Sequence, residues 1–313
     1  MKLLARTGLA GLLTCCVLLA VIGVTQRNDG PGDGDGGTGI AAPLVRGPYV
    51  ALGDSYTSGP KIPDQTGKPA GCARSSRNYP AVVAKELGIK SADFRDMSCS
   101  GAAIPDLTAP QSTDDGTNPA QTSALSIKTR LVTLGIGGND IGFSSMLTKC
   151  VTTGALYKAA ANLTDISDQA PCKERYADDG ASKKIRTAGE HLSQALQEIE
   201  RRAPEARVYV IGYPAILPSD GSTCDRKIPL APGDVTFLRN QEQQLNAMLR
   251  QRAQAAGATY VDTHTPSVGH DACSPAGTRW IEPLQPSNPA AVVHPNERGE
   301  RGMASAVLRT IGA

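Results

Sequence analysis

The sequence predicts an α/β protein, a three-layer α/β/α sandwich around a five-stranded parallel sheet. Short β-prone runs alternate along the chain with long helical segments, as expected when helices cover both faces of a parallel sheet. With 313 residues, of which 40% are hydrophobic, the chain can bury a full core. Because no internal repeat is visible, five strands in a chain of this length indicate one domain rather than two.

Each predicted strand is a short β-prone run that ends near glycine or turn residues. The five runs are 49–52, 92–97, 129–136, 207–212 and 258–261. Apolar residues at helical spacing predict helices over 79–87, 182–202, 235–256 and 296–311. Two long segments without such spacing, 142–180 and 214–232, are interpreted as loops that shape the rim of a binding site.

The N-terminal residues are predicted to lie outside this domain. Lys2 and Arg6 precede an apolar run from 7 to 25, which is the layout of an export signal. Residues 1–27 are therefore a signal peptide or a membrane anchor, 28–43 a flexible Gly/Asp-rich linker, and 44–313 the folded domain. Cleavage and tethering both stay open, and either one gives an extracellular or cell-surface protein.

Six cysteines remain beyond the apolar run, and an even number in an exported chain favours disulfides. Pairing in sequence order closes small local loops, so we expect Cys72–Cys99, Cys150–Cys172 and Cys224–Cys273. No Cys-x-x-Cys motif or paired histidine spacing suggests a metal site. A net charge of +2 and 4% aromatic residues argue against a nucleic-acid partner, and we expect a monomer.

Four residues that suit ester hydrolysis follow the predicted strands or precede the last helix. Ser55, Gly101 and Asn139 come after the first three strands, and His294 comes shortly before the final helix. The exits of parallel strands share one edge of the sheet, so these groups can converge there. Ser55 can attack a carbonyl while His294 takes its proton. The N–H groups of Ser55 and Gly101, with the Asn139 amide, can bind the oxyanion.

Each of these residues also has a simpler interpretation. Ser55 or His294 can cap a helix, and Asn139 can form a turn. The three matched sites in one order favour catalysis over these separate explanations. His264 and His270 lie in the loop after the fifth strand and stay open as less favoured bases.

The combined motifs resemble those of the SGNH (GDSL) hydrolase superfamily. They are Gly-Asp-Ser at 53–55, Gly101, Gly-Gly-Asn-Asp at 137–140 and His-Pro at 294–295. Cys-Ser-Gly-Ala at 99–102, Gly-His-Asp-Ala-Cys at 269–273 and the six cysteines are similar to its secreted actinomycete lipase and esterase branch. The resemblance covers 46–311 and implies a flavodoxin-like fold, no metal or organic cofactor, and an ester or thioester substrate. It also supports the roles given above to the four site residues.

One position departs from the family pattern. The family usually has Asp three residues before the histidine, where this chain has Ala291. The resemblance to relatives that use a backbone carbonyl favours the Ala291 main-chain carbonyl as the group that orients His294. Asp271 and Glu282 are the nearest carboxylates that could replace it.

The sequence therefore predicts an exported or membrane-anchored serine esterase or lipase. Its substrate would be a small-molecule or lipid ester, hydrolysed through an acyl-enzyme on Ser55. Two alternatives stay open. One is a carbohydrate O-deacetylase that uses the same site, and the other is a non-catalytic flavodoxin-like module that binds a phosphate ligand at 53–59.

Overall fold

The computed structural model describes residues 47–161, 170–176, 180–220, 222, 224 and 227–313. All of them belong to the larger of two compact units, Ala41–Ala313. The predicted signal or anchor (1–27) and linker (28–43) lie outside the described residues. Among the described helices, none is long and apolar enough to cross a bilayer.

The domain is built on a sheet of five parallel strands. These are Tyr49–Gly53 (β1), Phe94–Asp96 (β2), Leu131–Gly135 (β3), Arg207–Ile211 (β4) and Thr259–Val261 (β5). They lie side by side in the order β2-β1-β3-β4-β5. This is the flavodoxin-like order, in which the chain moves to opposite sides of β1 and leaves a crevice at its carboxyl end. The predicted fold class is confirmed.

Seven α-helices accompany the sheet in the described part of the chain. They are Ser55–Ser58 (α1), Tyr79–Glu86 (α2), Phe143–Ala161 (α3), Gly180–Arg202 (α4), Pro232–Ala255 (α5), His264–Ser267 (α6) and Glu297–Ile311 (α7). Short 3-10 helices occur at Ala70–Cys72, Ser91–Asp93, Ile104–Leu107, Gln121–Ala124 and Lys173–Tyr176. Two small antiparallel pairs join Gln65–Thr66 to Arg74–Ser75 and Gln111–Thr113 to Gly116–Asn118.

Both faces of the sheet are buried, as the strand sequences require. Tyr49 and Ala51 of β1 belong to a cluster with residues of α2 and α7, including Val83 and Val307. The alternate residues of β1 belong to the opposite cluster, which draws on α3, α4 and α5. Alternation along a strand places neighbouring residues on opposite faces of the sheet. Since both faces are covered, every residue of β1 is buried. The result is three layers with β1 near the centre.

The five predicted strands and four predicted helices are all present, with boundaries that differ by a few residues. One expectation was wrong. The segment 142–180, predicted as loop, contains the 19-residue helix α3. Phe143, Met146, Leu147, Cys150 and Val151 recur at helical spacing within it, so the helix was identifiable from the sequence. These residues belong to or pack against the core, and the helix contacts α5.

The described part of the chain contains three disulfides, in the local pairs expected from the sequence. Cys72 is bonded to Cys99, Cys150 to Cys172 and Cys224 to Cys273. The Cys72–Cys99 disulfide lies close to Gly101 in the chain. The Ser100 amide also donates a hydrogen bond to the Cys72 carbonyl at 3.0 Å. The bond at Cys150 holds α3 to the segment that leads into Lys173–Tyr176.

Replacing both Cys72 and Cys99 by alanine should destabilise the domain. The bond closes a sequence separation of 27 residues, so its loss should lower the free energy of unfolding by about 3 kcal/mol through the greater freedom of the unfolded chain. Urea unfolding followed by circular dichroism measures this difference. A decrease below about 1 kcal/mol, or crossed pairs in a peptide map of the native protein, would contradict the expectation.

Candidate active site

The loop after β1 presents Ser55 as the first residue of α1. The Asp54 carboxylate caps this helix by accepting the Tyr56 amide at 2.9 Å. Gly53 precedes it with φ near +157°, and a Cβ there would lie 2.2 Å from Thr57 Oγ1 and 2.5 Å from the Gly135 carbonyl. Only glycine fits between the strand and the helix turn, so the sharp exit that exposes Ser55 depends on it.

Ser55 and His294 are in direct contact. His294 Nε2 lies 2.8 Å from Ser55 Oγ, and His294 Nδ1 lies 2.7 Å from the Val292 carbonyl oxygen. A carbonyl can only accept, so Nδ1 carries the proton and Nε2 is free to accept the serine hydroxyl. Burial lowers the pKa of His294, opposed by the Val292 carbonyl. The imidazole is therefore neutral at pH 7.

The orienting carbonyl is not the one predicted from the sequence. The structure places the carbonyl of Val292, rather than that of Ala291, against Nδ1. The Ala291 amide is bonded elsewhere, to the Pro60 carbonyl at 2.9 Å. The physical reason for the difference is Val293, whose φ of +55° turns the chain between Val292 and the histidine. This turn brings the second carbonyl before the ring, not the third, to the ring nitrogen.

Neither alternative carboxylate contacts the His294 ring. Asp271 accepts the Cys273 amide at 2.8 Å. Glu282 is fully buried, and its carboxylate accepts hydrogen bonds from Ser287, Asn288 and Asn296. These bonds outweigh burial and lower the pKa of Glu282. Both acids hold loops in place, and the histidine is oriented by main chain.

Two of the other three histidines have partners elsewhere, and the third is exposed. His264 Nε2 lies 3.4 Å from Glu242 Oε1. His270 Nδ1 lies 2.7 Å from the Thr278 carbonyl, and its ring stacks on Trp280. His191 lies on an exposed part of α4. The structure therefore pairs Ser55 with His294 and with none of the other three.

The predicted oxyanion donors lie on the loops after β1, β2 and β3. Among the described residues, neither the Ser55 amide nor the Gly101 amide has a hydrogen-bond acceptor. Asn139 Nδ2 donates one hydrogen to the Ala102 carbonyl at 2.8 Å, which leaves its second hydrogen available. This bond also ties the β3 loop to the β2 loop. Gly101 has φ of +79°, a conformation that glycine adopts without cost.

A buried polar chain braces these loops. The Gly138 amide donates to the Tyr213 hydroxyl at 2.8 Å, and that hydroxyl in turn donates to the Asp54 carboxylate. Burial raises the pKa of Asp54 to about 7. Asp140 accepts the Ile104 amide, which joins the loops after β3 and β2. The acids beside Ser55 and Asn139 thus act as braces.

A cavity of about 250 Å³ opens beside Ser55 and His294. Asn139 also lines it, whereas Gly101 does not. Its apolar lining comes from α3, α5 and two loops, through Phe143, Leu147, Val151, Ile216, Leu245, Leu284 and Val292. Glu242 is on the wall, and burial raises the pKa of its carboxyl to about 8. The Glu242 side chain is therefore largely uncharged at neutral pH.

No metal centre is apparent in the part of the chain that the structure describes. No group of three or more histidine, cysteine, aspartate or glutamate side chains is placed there to hold an ion. The predicted absence of a cofactor stays a prediction.

Sequence reasoning missed several contributors to the site. Tyr213 follows β4, so the strand-exit argument could have identified it. Tyr56 is adjacent to Ser55, and proximity alone was a signal. The cavity wall on α3 was hidden because that helix was predicted as loop. Val292 was not identifiable, since the turn at Val293 has no glycine to mark it.

Comparisons with known proteins identify the family of this chain. The model of the GDSL-like lipase/acylhydrolase family matches residues 51–301. Lipase 2 of Streptomyces coelicolor is 40% identical over 280 residues, covering 88% of this chain and 90% of the relative. Lipase 1 of the same organism is 31% identical, with coverage of 95% and 96%.

Two solved structures are also similar to this chain. Phospholipase A1 from Streptomyces albidoflavus NA297 has a TM-score of 0.68 and 29% identity, covering 84% of this chain and 98% of that chain. An extracellular lipase from Streptomyces rimosus has a TM-score of 0.67 and 29% identity, with coverage of 85% and 100%. The family expected from the sequence is confirmed.

His294 should titrate below the ordinary histidine pKa of about 6.5, because burial disfavours the charged ring. Since its folded pKa is lowered, the unfolded chain binds the proton more readily. Stability should therefore fall as the pH drops through 6.5 towards the lowered value. Two-dimensional NMR of the ring C–H signals, assigned with His294→Gln, measures the titration. A midpoint at or above 6.5 would contradict the buried neutral ring.

Proposed function

This chain belongs to the GDSL-like lipase/acylhydrolase family and is a carboxylic ester hydrolase, and we propose that it forms its acyl-enzyme on Ser55. The observation that carries the proposal is the 2.8 Å contact between Ser55 Oγ and His294 Nε2. A neutral histidine at hydrogen-bond distance is what a serine hydroxyl requires to become a nucleophile.

The proposed reaction has two halves. Ser55 Oγ attacks the ester carbonyl while its proton moves to His294 Nε2, and the tetrahedral intermediate that forms carries a negative oxygen. His294 then returns the proton to the leaving alcohol, whose C–O bond breaks. In the second half a water molecule repeats the attack with His294 as base. The carboxylic acid leaves and the serine is restored.

The amides of Ser55 and Gly101 and the side chain of Asn139 are proposed to bind the oxyanion. Their support is that each has an N–H without an acceptor among the described residues. Such donors need not reorient when negative charge develops on the carbonyl oxygen, so they stabilise that charge effectively in a site that excludes water. The bond from Asn139 to the Ala102 carbonyl fixes the orientation of its amide.

His294 is proposed to act in a Ser–His dyad oriented by the Val292 carbonyl. The carbonyl fixes the tautomer as a triad carboxylate would. It carries only a partial charge, so it stabilises the transient imidazolium less. Asp271 and Glu282 are not proposed as a third member, because their carboxylates accept hydrogen bonds from other groups.

The substrate is proposed to be a lipid ester with an acyl chain longer than acetyl. The support is the cavity of about 250 Å³ with apolar residues from α3 and α5 beside Ser55. Burying methylene groups contributes about 0.8 kcal/mol each, which an acetyl group cannot use. The names of the similar structures, a phospholipase A1 and an extracellular lipase, point in the same direction. This support favours the lipid reading over carbohydrate deacetylation or a non-catalytic module.

The domain is proposed to work outside the cytoplasm. Three disulfides suit an oxidising compartment, and the export signal predicted at 1–27 supplies the route. Whether that segment is removed or retained as a membrane tether determines if the enzyme is free or surface-bound. Detection of residues 1–27 in the exported protein by mass spectrometry separates the two. The predicted monomer stays a prediction.

Replacing Ser55 by alanine should abolish turnover of p-nitrophenyl esters, as should replacing His294 by alanine, while Asp271→Asn should cost less than about tenfold. Loss of a true triad carboxylate would lower kcat by a factor on the order of 10⁴.

A series of p-nitrophenyl esters from acetate to decanoate tests the acyl cavity, and longer chains should be preferred. An organophosphate should label Ser55. Activity in Ser55→Ala, or label elsewhere, would overturn the proposal.

Replacing Asn139 by alanine should lower kcat by about 10²–10³ with a small change in KM, as expected for a donor used mainly in the transition state. Steady-state kinetics on one p-nitrophenyl ester measures this. The matched control is Asn288→Ala, which removes an amide from the Glu282 loop instead. Equal effects of the two substitutions would mean that Asn139 contributes only to folding.

A further inference from the structure

The backbone between Val292 and His294 has a conformation that its sequence does not favour. Val293 has φ of +55°, in the left-handed region where a β-branched side chain is a genuine outlier. Its side chain is buried, and it lies between the carbonyl that orients the histidine and the histidine itself. Such a conformation persists only where neighbouring groups fix it.

Two groups hold this turn. The Val293 amide donates to the Glu282 carbonyl at 2.9 Å, and the Val293 carbonyl accepts the Tyr56 hydroxyl at 2.6 Å. The Glu282 amide also donates to the His294 carbonyl at 3.0 Å. Both peptide groups of the turn residue are therefore fixed from opposite sides, one by the chain before it and one by a side chain from the nucleophile loop.

Tyr56 is itself rigidly placed. Its amide donates to the Asp54 carboxylate, and its ring meets Tyr213 edge-on at 5.1 Å between centroids. The Tyr213 hydroxyl donates to the same carboxylate. The Tyr56 ring also contacts the His294 ring, with 5.0 Å between centroids. The Tyr56 hydroxyl therefore contacts Val293 from α1, the helix that also carries Ser55.

We propose that Tyr56 is a positioning residue, whose hydroxyl holds the turn at Val293 so that the Val292 carbonyl faces His294 Nδ1. The inference rests on the proposed role of His294 as base. Without a carboxylate at Nδ1, the ring orientation depends on the direction of one peptide group, and Tyr56 fixes the next peptide group along the chain. Tyr56 acts through the backbone and transfers no proton in the reaction.

The test is Tyr56→Phe, which keeps the ring and its aromatic contacts and removes only the hydroxyl. Because a small misplacement of a reacting group slows the chemical step, kcat should fall by about 10- to 100-fold while KM stays within about twofold. The proton on His294 Nδ1 should lose its hydrogen-bonded, slowly exchanging NMR signal. The midpoint of thermal unfolding should change little.

Tyr49→Phe is the matched control. It also removes one buried tyrosine hydroxyl, which lies 2.8 Å from Thr133 Oγ1 in the sheet, away from the catalytic loop. Tyr49→Phe should leave kcat and the Nδ1–H signal unchanged. If Tyr56→Phe keeps kcat within twofold and retains the Nδ1–H signal, the positioning role is wrong. If both variants lose kcat equally, the effect is one of general stability and the proposal is also overturned.

Ser55→Ala in the same assay separates this inference from the proposed function. If Ser55→Ala retains turnover, the reaction does not pass through Ser55 and the role of His294 fails with it. If Ser55→Ala is inactive while Tyr56→Phe resembles the unmodified enzyme, only the positioning role is overturned. Val293→Pro, whose ring fixes φ near −65°, should lose both kcat and the Nδ1–H signal even with Tyr56 present.

Discussion

The hydrogen bond between Ser55 and His294 joins residues 239 positions apart, and the contacts around the site serve to hold these two positions together. Ser55 is fixed by β1, which is buried along its whole length. His294 lies in irregular backbone before α7 and has no strand to place it. The loop therefore depends on specific hydrogen bonds, from Glu282 on one side and Tyr56 on the other.

The polar groups beneath the site form a brace around one carboxylate. Asp54 binds the Tyr56 amide and the Tyr213 hydroxyl, and Tyr213 accepts the Gly138 amide from the loop after β3. Through these bonds one acid connects the exits of β1, β3 and β4. Burial raises the pKa of Asp54 to about 7, so its charge is partly lost near neutrality. When Asp54 is protonated, its carbonyl oxygen still accepts the Tyr56 amide, and its O–H can donate to the Tyr213 hydroxyl oxygen, so both contacts persist with one hydrogen bond reversed.

Sequence reasoning recovered what regular patterns encode. The five strands carry local β signals, and the strand-exit rule located Ser55, Gly101 and Asn139 because parallel strands end on one edge. Helix α3 was missed although its apolar residues recur at helical spacing, and a disulfide and packing on α5 stabilise it further. The carbonyl offset was wrong for a different reason, because the turn at Val293 is imposed by tertiary contacts and no residue type marks it.

In the proposed Ser–His dyad, a peptide carbonyl takes the place of a triad carboxylate, and this changes what the rest of the site must supply. A triad acid brings a full charge, and a modest error in its direction still leaves strong attraction to the ring. A carbonyl brings a partial charge and a directional lone pair, so its benefit depends on alignment. The orientation of His294 then depends on the geometry of the turn at Val293 and not on the charge of a side chain. That is consistent with a valine held in a left-handed conformation by groups from two separate parts of the chain, at the position next to the histidine.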